Sequence, residues 1–189
     1  MRVESLEIRD MKTIEEQGHV FEEWLSTEQI AQDVQAVADR LNVDYRDKEP
    51  LLLVVLNGAF MFAADLMRRL TFRHEVTFIR VSSYYGMATT GHLEFIVPLQ
   101  QAVVDRDVIV IEDIVDTGLT IHQLKAHLRA EGATSVAVAS MLFKPGKLKY
   151  ADAEPNYVGH EIVNEFVIGY GLDLDGFARN LPAIYKVKE

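Results

Sequence analysis

The apolar positions of this chain follow two different rhythms. Ile30, Val34, Val37, Ala38 and Leu41 recur three and four residues apart, which puts them on one face of a helix. Ser26-Thr27-Glu28-Gln29 opens that stretch as a capping box, with Ser26 as N-cap and Gln29 reaching back, so a helix is predicted to about Leu41. Beyond Pro50 the pattern changes. Leu51 to Leu56 is unbroken apolar, as expected of a strand covered on both faces. Asn57-Gly58 makes a turn, Phe60 to Leu70 predicts the next helix, and Val76 to Val81 a further strand. Ser82 to His92 is polar, Tyr-rich and without periodicity, hence a loop. Leu93 to Pro98 returns as a strand, which makes the pair a protruding hairpin. Val108 to Ile111 is a second unbroken apolar strand. Thr120 to Ala130 is a helix that turns Ile121, Leu124 and Leu128 inward and ends at Gly132, and Ser135 to Leu142 is another strand.

Strand and helix alternate from Leu51 to Leu142, which predicts the α/β class: right-handed βαβ units and a mostly parallel central sheet flanked by helices. Ligands in such sheets sit beyond the carboxyl ends of the strands, where Asn57-Gly58, Glu112-Asp113 and Lys144 all fall. After Lys144 the pattern breaks into short strands and turns (Tyr157 to Gly159, Phe166 to Tyr170, Ala183 to Val187). This tail is too small for a second domain and is expected to fold back over the site.

Composition narrows the picture. With 189 residues, 49% hydrophobic and 25% charged, the chain suits one domain with a substantial core. A net charge of −10 argues against a nucleic-acid surface, which needs clustered Lys and Arg. No cysteine is present, so disulfides, thiolate metal sites and a cysteine nucleophile are excluded. Met1-Arg2-Val3-Glu4 does not open as a secretion signal and no apolar run reaches membrane-spanning length, so the expected location is cytoplasmic, with no membrane partner.

The chemistry concentrates after the strand Val108 to Ile111. Glu112 and Asp113 follow it, and then Asp116-Thr117-Gly118-Leu119-Thr120 leads into a helix. That loop offers backbone N–H groups, two hydroxyls and a helix N-terminus, a combination that suits a phosphate monoester. Glu112 and Asp113 would repel a phosphate, so they serve another part of the same ligand. A sugar diol, alone or with Mg²⁺, fits carboxylate oxygens. The ligand implied is a ribose 5-phosphate. The plainer alternative is a strand ending in solvated acids, with Thr117 or Thr120 as a helix N-cap.

The stretch Val108 to Ile121 resembles the phosphoribosyl-pyrophosphate (PRPP) signature of the type I phosphoribosyltransferase family. Leu56-Asn57-Gly58-Ala59-Phe60, Ser82-Ser83-Tyr84, Phe143-Lys144 and Glu165 to Asp173 are similar to its hypoxanthine-guanine branch. The resemblance runs from about Leu51 to the C-terminus. It implies that family's fold for a single domain over 1–189, with a core at about 26–145 and a small hood from about 1–25 and 146–189. The implied reaction passes ribose 5-phosphate from PRPP to N9 of hypoxanthine, with guanine as a second base, and releases pyrophosphate. It also implies Mg²⁺ and a homodimer or homotetramer, the other partners being the small-molecule substrates and products.

Residue by residue, the resemblance implies that Asp116 to Thr120 (Asp116, Thr117, Gly118, Leu119, Thr120) hold the 5-phosphate and that Glu112 and Asp113 hold the ribose hydroxyls. Asp116 would be the catalytic base at purine N7; an Asx-type turn stabiliser is its bland counterpart. Asn57 and Gly58 would bind pyrophosphate across a Leu56-Asn57 peptide that is often cis, together with Arg179, although Arg68, Arg69 and Arg80 are further arginines able to reach a phosphate. Ser83 and Tyr84 would anchor a mobile loop that excludes water. Lys144 would donate to the purine 6-oxo group, Phe166 would stack on the ring, and Val167 would read its edge through the backbone. Glu112, Asp113 and Asp173 would be the metal ligands. Asn57 and Leu119 stand where some relatives carry Lys. Three rivals remain open: a xanthine-preferring enzyme, a PRPP-fold RNA-binding regulator of pyrimidine genes, and a flavodoxin-like module. The net charge weighs against the second, and the Lys144 and Phe166 elements against the third.

Overall fold

The computed structural model describes residues 12–82 and 94–188; Ser83, Tyr84 and most of the predicted loop lie outside them. The first helix, α1 (Thr27–Asp44), starts where Ser26 Oγ accepts from the Gln29 N–H at 3.3 Å. The return half of the capping box is not made. The Gln29 side chain instead donates to Asp33 Oδ1 at 2.9 Å, one turn along, where a full helical neighbour competes with the cap. α1 also outruns Leu41, because buried Tyr45 closes it with an N–H bond to the Leu41 carbonyl at 2.9 Å.

β3 (Leu51–Leu56), β4 (Glu75–Ser82), β5 (Glu94–Val97), β6 (Asp107–Val115), β7 (Ser135–Phe143) and β8 (Tyr157–Glu161) form a six-stranded sheet in the order β5-β4-β3-β6-β7-β8. All its pairings are parallel except β4 with β5. β3, the centre, needs its apolar run because both faces are covered: Leu51, Leu52, Leu53 and Val54 are all inaccessible. Each such side chain stabilises the fold by about 1.5–3 kcal/mol. Leu52 and Val54 pack with α1 and with α2 (Phe60–Met67), whereas Leu51 and Leu53 pack with α3 (Leu119–Ala130) on the opposite face. α2 stops short of the predicted Leu70. The N–H groups of Arg69 and Leu70 bond back three residues, to Leu66 and Met67, which tightens and ends the helix.

Two sequence boundaries move. β6 runs past its apolar residues to Val115, so Glu112 and Asp113 are strand residues, with Glu112 in register with Ser140 of β7. Tyr157 to Gly159 becomes β8, the edge strand of the central sheet beside β7, so it is not part of the tail folded over the site. The fold-back comes from the two ends of the chain. β1 (Thr13–Glu16), β2 (His19–Leu25), β9 (Val167–Ile168) and β10 (Ile184–Val187) form a second, antiparallel sheet in the order β1-β2-β10-β9. Phe166 precedes β9 and is not in the strand predicted for it. This small hood has its own core of Ile14, Phe21, Ile168, Ala183 and Tyr185.

Candidate active site

β3, β6 and β7 run in parallel, so their carboxyl ends meet at one edge of the sheet. A cavity of about 330 Å³ opens there, lined by Asn57, Gly58, Glu112, Asp113, the segment Asp116 to Thr120, and Asp173 and Arg179 from the hood. Gly118 has φ +80°, a left-handed turn that lets the chain leave β6 and enter α3 at once. It caps α3 without a side-chain hydrogen bond, so first-turn N–H groups remain for an anion. Neither threonine is the N-cap; Thr117 Oγ1 accepts from the Leu119 N–H at 3.4 Å.

The acid pair lies deep. Glu112 is buried, and Asp113 folds its Oδ1 onto the Ile114 N–H at 2.7 Å. Burial, reinforced by the Asp113 charge, raises Glu112 well above the ordinary glutamate range. Burial raises Asp113 as well, opposed by its hydrogen bonds and by the Arg179 guanidinium. Arg179 compensates only Asp113, and ribose hydroxyls or a hard cation would supply what the pair still needs. This donor set fits Mg²⁺, which binds through one or two carboxylates while substrate oxygens and waters complete its shell. Among the described residues no group of three or more His, Asp or Glu could hold a metal unaided. Asp173 lines the cavity, but Arg179 lies 2.7 Å from its Oδ1 and the Gly176 N–H donates to its Oδ2 at 2.7 Å.

The Asn57-Gly58 turn is held from both sides. The Leu56-Asn57 peptide is cis. A Cβ on Gly58 would fall 1.4 Å from Asp113 Oδ2, and one on Gly171 would fall 2.0 Å from the Gly58 carbonyl oxygen. Hood, turn and acid pair therefore touch through glycines. Arg179 fixes the hood side of this stack, donating to the Gly171 carbonyl at 2.7 Å. Arg68 pairs with Asp65, and Arg69 donates to the Asp65 carbonyl at 2.6 Å; neither lines the cavity.

Asp116 sits half-exposed under two cations. Its Oδ2 lies 3.3 Å from Lys144 Nζ and 3.7 Å from Lys147 Nζ, while its Oδ1 is shut from solvent without a partner. Lys144 is itself buried, at the end of β7. The segment that follows clasps the turn ahead of α3: the Lys149 N–H donates to the Thr117 carbonyl at 3.0 Å, and a Cβ on Gly118 would meet Leu148 and Ala153 at 2.8 Å. Val167 is buried in β9. Phe166 is 52% exposed and does not line this cavity. It faces a second one of about 520 Å³ with Glu22, Glu165 and Lys186. Sequence reading missed Lys147 and Gly171. The Lys-Pro-Gly-Lys spacing was the available signal for the first; the second lies within the matching segment Glu165 to Asp173, where only its neighbours carry assigned roles.

A model of the phosphoribosyl transferase domain matches residues 21–175. The hypoxanthine-guanine phosphoribosyltransferase of Staphylococcus epidermidis is 37% identical over 165 residues, 87% of this chain and 92% of its own. That of Streptococcus thermophilus is 38% identical over 165 residues, 87% and 91% of the respective chains. Among solved structures, a hypoxanthine phosphoribosyltransferase from Staphylococcus aureus matches with a TM-score of 0.83 at 36% identity, covering 88% of this chain and 91% of that one. The Trypanosoma cruzi hypoxanthine phosphoribosyl transferase matches with a TM-score of 0.83 at 31% identity, covering 93% and 95%.

Proposed function

This chain belongs to the phosphoribosyl transferase family, and we propose on that footing that it is a purine salvage enzyme. It transfers ribose 5-phosphate from PRPP to N9 of hypoxanthine, with guanine as a second base, releasing pyrophosphate. One observation carries the reading: a single cavity gathers the acid pair, the turn ahead of α3, the Asn57-Gly58 turn and Arg179.

Each part of the cavity meets a different part of PRPP. Asp116 to Thr120 and the first turn of α3 hold the 5-phosphate. Glu112 and Asp113 accept hydrogen bonds from the ribose hydroxyls and, with Asp173, are the residues that would hold Mg²⁺. When bound, the ion supplies positive charge to the leaving pyrophosphate. Asn57, Gly58 and Arg179 take the pyrophosphate end, Arg179 through its forked guanidinium. C1 of the ribose becomes oxocarbenium-like, so fixed charges around it lower the barrier. Asp116 takes the N7 proton as N9 attacks. Lys144 donates to the 6-oxo group and the Val167 backbone reads the edge of the ring, while Phe166, turned to the second cavity, takes no part in holding the base.

No helix among the described residues is long and apolar enough to cross a membrane, and the enzyme works in the cytoplasm. It assembles as a homodimer or homotetramer; Phe78 and Ile96, 45% and 51% exposed on β4 and on the end strand β5 beside it, support such a contact. The test is pyrophosphate release from PRPP and Mg²⁺ with hypoxanthine, guanine, xanthine, adenine or uracil in turn. Turnover with hypoxanthine and guanine is expected. Silence with every oxopurine overturns the reading, and a xanthine preference replaces it with the xanthine enzyme.

A further inference from the structure

We infer that Lys147 is a positioning residue: it keeps the Asp116 carboxylate compensated while Lys144 turns to the 6-oxo group of the purine. The inference rests on the reading of Lys144 as the 6-oxo donor.

Asp116 and Lys144 face each other at 3.3 Å before any base arrives. A lysine that must donate to the base is thus already engaged by the residue that must accept a proton. Moving its ammonium away from Asp116 would leave a half-buried carboxylate with its Oδ1 enclosed and unpartnered. Stranding one member of such a pair is the costly event, more than the pair itself is stabilising. The local backbone answers this. Pro145–Lys147 is a short 3₁₀ turn whose closing bond runs from the Lys147 N–H to the Lys144 carbonyl at 3.0 Å. Lys144 caps this turn and Lys147 closes it, so the turn brings the two residues back beside each other. Both ammonium groups reach one oxygen, Asp116 Oδ2, at 3.3 and 3.7 Å. They differ in burial. Lys144 is enclosed at the sheet edge, while the Lys147 side chain is 37% exposed; neither lines the cavity around Glu112 and Asp113. The buried lysine, directly after β7, is the one assigned to the base, and the outer one holds the carboxylate in its absence.

Lys147→Met keeps the apolar stem and removes the charge; Lys147→Arg restores a cation. Binding of inosine 5′-monophosphate and of ribose 5-phosphate is measured by titration calorimetry on the full chain. Lys147→Met should weaken the nucleotide about fivefold, the scale of a partly exposed ion pair, and leave ribose 5-phosphate unchanged. Lys147→Arg should recover most of the loss. Equal weakening of both ligands would mean that Lys147 supports the phosphate loop generally, and an unchanged nucleotide affinity would mean it does nothing here; either overturns the inference. Lys144→Met is the separate arm. If it binds the nucleotide as the unmodified chain does while holding ribose 5-phosphate normally, the reading of Lys144 as base donor fails, whatever Lys147 does.

Discussion

The turn after β6 runs Asp116-Thr117-Gly118 into α3, and the turn after β3 runs Asn57-Gly58-Ala59 into α2. Both carry glycine at the carboxyl edge of the sheet, for different reasons. Gly118 is required by its own backbone, at φ +80°, and any L side chain there is strained regardless of neighbours. Gly58 is not in that region. It is required by another strand, because the Asp113 carboxylate occupies the space a Cβ would need. One turn is fixed mainly by local geometry and the other by what lies against it. A binding site built on both inherits its shape from two levels of structure.

The largest expected effect concerns the chemistry of the first turn. Asp116→Asn keeps the loop's shape and removes the proposed base, so turnover should fall by about 10²- to 10⁴-fold while ribose 5-phosphate affinity stays near its original value. Steady-state rates and calorimetry on the same variant check this, and unchanged turnover would remove Asp116 from the reaction. Next come the two glycines. Gly58→Ala pushes directly on Asp113 and should cut kcat/KM by about 100-fold, as misplacement by an ångström does. Gly118→Ala should act chiefly on stability, by about 1–2 kcal/mol. Equal activity losses in the two variants, with equal melting temperatures, would break the contrast between the turns.

The smallest effect concerns the acid that lies between them. The raised pKa of Glu112 means that the folded chain holds a proton the unfolded chain has already released. Stability is therefore highest below the unfolded value of about 4.5 and falls as pH rises from there toward the raised folded value. Glu112→Gln removes that slope. At neutral pH it should melt roughly 2–4 °C higher than the unmodified chain, with ribose binding weakened. Melting curves between pH 5 and 8 decide it, and a variant that melts lower throughout would mean Glu112 is compensated in the free enzyme.

The sequence carried the parts of this site that are local. The apolar runs Leu51 to Leu56 and Val108 to Ile111 are strands buried on both faces, and Asp116 to Thr120 has the residues of an anion-binding turn whether or not its surroundings are known. It carried less of what two distant segments do to each other. Glu112 and Asp113 looked like the polar end of a strand, because nothing in their order reveals that β7 and the hood enclose them. Tyr157 to Gly159 looked like tail because an edge strand four or five residues long has no periodicity of its own. Phe166 matched a base-stacking position by resemblance, yet its ring faces a separate cavity.

Periodicity and turn chemistry, then, determined the elements, their alternation and the glycine turn from β6 into α3, since each depends on residues a few positions apart. Tertiary structure alone decided the burial of the acid pair, the glycine contact from Gly171 through Gly58 to Asp113, and the convergence of Lys144 and Lys147 on Asp116. Those depend on separations of tens of residues along the chain and a few ångströms in space. Desolvation and charge pairing act only across the second distance.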